Sequence, residues 1–70
     1  MKKSQIQAGH CYVGKTGFVR RVTDIYQDGA EWVEWEDGIG SGNCFLISFA
    51  SWAQREVEEQ HFGKYHLEVP

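Results

Sequence analysis

The string most suggestive of chemistry runs Gly9-His10-Cys11-Tyr12-Val13-Gly14-Lys15-Thr16. It fits the phosphate-loop pattern G-x-x-x-x-G-K-[ST] letter for letter. That chemistry needs a buried strand feeding the loop and a helix behind it whose N-terminus faces the phosphates. Here the residues before Gly9 are polar, and Gly17-Phe18-Val19-Arg20-Arg21-Val22 reads as a strand. Bulky Tyr12 and Val13 fill the loop interior. The string is therefore read as a strand followed by a glycine-flanked turn. Gly38-Ile39-Gly40-Ser41-Gly42 lies between two expected strands with no helix behind it, so it reads as a hairpin loop.

His10, Cys11, Cys44, His61 and His66 are metal ligands in kind, but none has the C-x-x-C or H-x-x-x-H spacing that puts two ligands on one ion. His10 and Cys11 are neighbours, and on a strand they point to opposite faces. No spacing singles out a nucleophile with its base, or a pair of carboxylates set apart by environment. The expectation is a chain without enzyme activity, metal or cofactor.

Two binding patterns remain. Lys15, Phe18, Arg20 and Arg21, with Tyr12 nearby, have the basic-aromatic character that suits single-stranded nucleic acid. The formal net charge of −3 opposes it, because phosphate contacts supply most of such affinity. The second pattern is apolar. Ile25 and Trp32, with Tyr26 beside Ile25, are candidates for a partner-binding patch on a solvated sheet face.

These residues need strands to carry them. Residues 10–13 read as a short strand, and residues 18–26, rich in β-branched and aromatic types, as a long one. Asp28-Gly29 is the pair that a tight type I′ hairpin favours, with residues 31–36 as the return strand. A two-residue loop there sets Ile25 opposite Trp32, Thr23 opposite Glu34 and Arg21 opposite Glu36 on one face. The other face then pairs Tyr26 with Glu31, Asp24 with Val33, Val22 with Trp35 and Arg20 with Asp37. Both arginines thereby meet acids. A one-residue slip or a bulge would exchange the faces and turn Ile25 and Trp32 inward, an alternative kept open by the three-residue spacing of Val19, Val22 and Ile25.

Residues 37–43 read as a glycine-rich loop, and residues 44–47 as a buried strand. Ser48 is a suitable N-cap for a helix at about 48–61, with Ile47 stapled against Trp52. Phe49, Trp52, Ala53 and Val57 make its apolar stripe, and Gly63 its stop. Tyr65, Leu67 and Val69 alternate as a final edge strand. The order strand, strand, strand, strand, helix and strand predicts a mainly β domain. It should be a small antiparallel Src-homology-three-like barrel or bent sheet over residues 9–70, preceded by a flexible arm at 1–8.

Seventy residues make one domain, and 41% hydrophobic with 24% charged is globular composition. At this size a core supplies roughly 3–5 kcal/mol, so aromatic packing or self-association is expected to reinforce it. No apolar run is long enough to span a bilayer, and no secretory apolar segment follows Met1-Lys2-Lys3. The two cysteines are read as reduced, in a cytoplasmic protein.

Tyr12, Gly17, Arg20-Arg21-Val22, Ile25, Val33-Glu34-Trp35-Glu36, Cys44, Ser48-Phe49-Ala50 and Trp52-Ala53 together resemble a scattered group of short uncharacterised bacterial and phage-borne proteins. The likeness covers residues 9–53. It implies a prokaryotic or mobile-element accessory protein and carries no activity with it. The leading expectation is a non-catalytic module that binds protein, including itself, with a nucleic-acid-binding barrel as the alternative and a small ligand carrier or enzyme third.

Overall fold

Residues 19–28 are long enough, and rich enough in β-branched side chains, to serve two neighbours at once. The computed structural model describes residues 1–62. In it, β2 (Val19–Asp28) pairs through its first residues with β1 (Cys11–Gly14) and from Arg21 onward with β3 (Ala30–Glu36). β4 (Ser41–Phe45) returns beside β3, and β5 (Ala53–Val57) lies on the far side of β1. All pairings are antiparallel, and the order is β4-β3-β2-β1-β5. Over the described residues the protein is thus mainly β with one α-helix, and its five-stranded sheet is open rather than closed into a barrel. The helix α1 (Leu46–Trp52) connects the edge strands β4 and β5 and fills the space over one face.

That inner face holds the main core: Tyr12, Val22, Val33, Leu46, Phe49, Ala50, Ala53 and Ile6, with Ile25, Trp35 and Trp52 against it. The outer face of β1 holds a smaller cluster of Cys11, Val13, Val19 and Val57, capped by Phe62. Every residue of β1 is buried, because both its faces and both its edges are covered.

Several sequence expectations need correction. The helix does not run from 48 to 61: it ends at Trp52, and residues 53–57 form β5. Positions four apart share a face in a helix and in a strand alike. Ala53 and Val57 are buried with the three residues between them exposed, so the apolar stripe did not discriminate between the two. β1 offered a second edge, and its hydrogen bonds decided the matter. The helix also starts earlier, with Phe45 as N-cap and no side-chain cap, and Ile47 is 65% exposed rather than stapled to Trp52.

Residues 1–8 are not a free arm. A 3-10 turn at Lys3–Gln5 leads Ile6 into the core at 5% exposure. Tyr12 holds the segment: its hydroxyl donates to the Gln5 carbonyl at 2.9 Å and accepts from the Gln7 N–H at 2.8 Å. Both bonds vanish in Tyr12→Phe, which should cost about 1–3 kcal/mol in urea denaturation, because two part-buried backbone groups lose their partner. Amide exchange at residues 5–7 should rise in the same variant; unchanged protection there would show that the hydroxyl does not hold the segment.

The hairpin register is displaced by one residue over half its length. Gly29, at φ +82°, lies alone between the paired Asp28 and Ala30, so Tyr26 faces Trp32 and Ile25 faces Val33. Thr23 is the extra residue of a bulge, and beyond it the expected pairs return: Val22 with Trp35 and Arg21 with Glu36. The loop after β3 is shorter than expected, since β4 already begins at Ser41 and includes Gly42 and Asn43. The expected strand over residues 65–69 and the stop at Gly63 lie outside the described residues.

Candidate interaction surface

The bulge at Thr23 determines which side chains reach solvent. Val22 points inward; Thr23 adds one residue, so Asp24 and Tyr26 point outward and Ile25 inward. The predicted pair Ile25 and Trp32 is therefore split. Ile25 packs on the core, while Trp32 stays outside and acquires Tyr26 and Phe45 as its direct cross-strand neighbours. The three rings form a row across β2, β3 and β4, with exposures of 45%, 37% and 48% for Tyr26, Trp32 and Phe45. Trp32 and Phe45 are in contact, with centroids 4.4 Å apart and planes tilted by 38°.

Phe45 was missed because the run Cys44-Phe45-Leu46-Ile47 reads as wholly buried. Its residues in fact divide between faces: Cys44 packs inward while Phe45 is exposed. The signal lay in strand alternation, once β4 is known to end at Phe45.

Beside the aromatic row, Asp24 and Glu34 sit directly opposite each other. Like charges so placed repel. Tyr26 relieves part of this by donating its hydroxyl to the Glu34 carboxylate. A shallow depression of about 380 Å³ is bounded by Tyr26, Trp32, Glu34 and Asn43.

The Glu34 hydrogen bond, with Asp24 adding to it, pushes the Tyr26 phenol up from 10.0 to about 12. A raised folded-state value means that this contribution to stability is present below pH 10 and is lost as pH rises toward 12. Ultraviolet titration of the wild type minus that of Tyr26→Phe should thus show the Tyr26 phenol ionising near pH 12, moving back toward 10 in Glu34→Gln. A Tyr26 phenol that ionised at its ordinary value in the wild type would mean that the bond is absent in solution.

The predicted basic strip is not assembled. Arg20 and Arg21 are adjacent on β2 and point to opposite faces. Arg21, on the outer face, donates to Glu36 at 2.9 Å and 3.1 Å and to Glu59 at 2.6 Å, above the Phe62 ring. Arg20, on the inner face, is not paired with Asp37 as expected; its guanidinium lies between two indoles, 4.0 Å from Trp35 and 4.4 Å from Trp52. Burial there lowers its pKa from the ordinary arginine value. Lys15 is exposed in the turn after β1, and Phe18 is 43% exposed.

The phosphate-loop string forms β1 and a turn in which the Gly17 N–H donates to the Gly14 carbonyl at 3.0 Å, and β2 follows it rather than a helix. In the second glycine-rich segment, the Asp37 carboxylate accepts from the N–H groups of Ile39 and Gly40, which lowers its pKa and fixes a hairpin turn. Cys11 and Cys44 are free and belong to packing on opposite faces of the sheet. Burial raises both thiols, so neither is primed as a nucleophile. Among the described residues no group of three or more His, Cys, Asp or Glu could hold a metal ion. No described helix is long and apolar enough to cross a membrane. Comparison with protein-family models, curated proteins and solved structures found no match.

Proposed function

We propose that the chain is a non-catalytic interaction module that binds protein, itself included, on the outer face of β2, β3 and β4. The observation that carries this reading is the row of Tyr26, Trp32 and Phe45, three partly exposed rings in one line on a sheet with little core to spare. Aromatic side chains clustered on a solvated face are what binding hot spots use. Its strand order, with α1 between β4 and β5, is read as an opened Src-homology-three-like arrangement. A cytoplasmic setting and a prokaryotic or phage origin belong to the same proposal; two unpaired thiols support the former. The nucleic-acid alternative draws less support, since one arginine is neutralised by acids and the other is stacked between indoles.

Sedimentation of the full chain at several concentrations tests the reading. Self-association that Trp32→Ala weakens is the expected result. A strict monomer at every concentration, indistinguishable from Trp32→Ala, would overturn the self-association.

A further inference from the structure

The outer face carries a charge as well as an apolar row, and the two together specify a partner. Asp24 and Glu34 face each other across β2 and β3, one step along the ladder from Tyr26 and Trp32. Among the described residues neither carboxylate forms an ion pair; the four that are present involve Glu31, Glu56, Glu36 and Glu59. What relief they have comes from neutral donors, the Tyr26 hydroxyl on Glu34 and the Ile25 N–H on Asp24 at 2.8 Å. Opposed acids and aromatic faces share one complement, a planar cation that stacks on a ring while its N–H edge meets carboxylate. The molecule already uses half of that pairing elsewhere, in the Arg20 guanidinium between Trp35 and Trp52.

Building on the interaction-module reading, we infer that this face docks an arginine-bearing segment of a partner protein. The guanidinium stacks on Trp32 or Phe45 and its N–H groups reach Glu34 and Asp24. Arginine suits the site better than lysine because its fork matches a carboxylate in two bonds and its plane matches an indole. The net charge of −3 assists the approach of such a segment.

The test is calorimetric titration of the full chain with capped tetra-arginine, tetra-lysine and tetra-glutamate peptides at low and moderate salt. Tetra-arginine should bind more tightly than tetra-lysine, and tetra-glutamate should not bind. Trp32→Ala, which keeps every charge, and Glu34→Gln, which keeps every ring, should each weaken tetra-arginine binding roughly tenfold. Glu58→Gln, an exposed acid beyond β5, should leave it unchanged. Circular dichroism of each variant verifies that the fold persists. Binding insensitive to Trp32→Ala, or weakened equally by Glu58→Gln, would be general charge attraction and would overturn the inference. So would the absence of binding; if Trp32-dependent self-association persisted in that case, the module reading would survive without an arginine partner.

Discussion

Phe49→Ala is expected to cost about 3–5 kcal/mol, the usual range for removing a buried aromatic ring. That is comparable to the whole stability of a domain this small, roughly 3–5 kcal/mol. The variant should therefore be largely unfolded at room temperature. Phe49 is fully buried, its ring edge-on to Tyr12 at 5.7 Å between centroids and 5.2 Å from Trp52. It projects from α1, the segment that connects the two edges of an open sheet. Its loss leaves a cavity where helix, β1 and the N-terminal segment meet, and no barrel closure stands in reserve. Circular dichroism and tryptophan emission on heating would show a broad or absent transition. Phe49→Leu keeps most of the apolar volume and should retain a cooperative one. A Phe49→Ala chain that melted within a few degrees of wild type would place the stability elsewhere.

The strands were legible where local chemistry and tertiary demand agreed. β-branched residues marked β2, and acids and arginines marked the ladder beside it, so Val22 with Trp35 and Arg21 with Glu36 stand where the pattern put them. The ladder departs from the leading register beyond Thr23: the spacing of Val19, Val22 and Ile25 kept a bulge open without selecting it, and one added residue exchanges the faces of everything after it on β2. That single residue separated Ile25 from Trp32 and brought Tyr26 to Trp32 instead. Trp32 was thus singled out for a pairing with Ile25 that does not exist, and it stands exposed beside Tyr26 instead.

The C-terminal half was less legible for a different reason. Residues 46–57 contain one run whose apolar spacing satisfies a helix and a strand equally, and the choice at Ala53 is made by β1 across the sheet. The N-terminal segment depends on Tyr12 in the same way, since nothing in residues 1–8 except Ile6 announces a place in the core. Arg20 was the hardest case. Its acid partner was inferred from the hairpin, whereas its actual neighbours come from β3 and from the end of α1. No local rule brings those two indoles to one guanidinium.

Those two indoles set up the other large expected effect, the loss on replacing Gly14 with alanine. The side chains stack in layers: Gly14, Trp52, Arg20, Trp35 and Gly42. A Cβ on Gly14 would stand 2.3 Å from Trp52 Cε2, and one on Gly42 2.7 Å from Trp35 Cζ2. Gly14 is not in the left-handed region, so its requirement for glycine is steric rather than conformational. The indole cannot retreat freely, because the Arg20 guanidinium covers its other face at 4.4 Å and Trp35 lies beyond at 4.0 Å from that group. Overpacking commonly costs about 1–3 kcal/mol, and a rigid ring blocked on both sides belongs at the upper end, about 3 kcal/mol. Urea denaturation should register this loss for Gly14→Ala. Gly40→Ala, with nothing within 4 Å of the added carbon, should stay within about 0.5 kcal/mol of wild type. Adding Trp52→Leu to Gly14→Ala should cost less than the two single losses combined, since the smaller side chain removes the clash that it was made to relieve. Strict additivity, or a Gly14→Ala loss no greater than that of Gly40→Ala, would mean that the stack is loose and that Arg20 is not pinned by it.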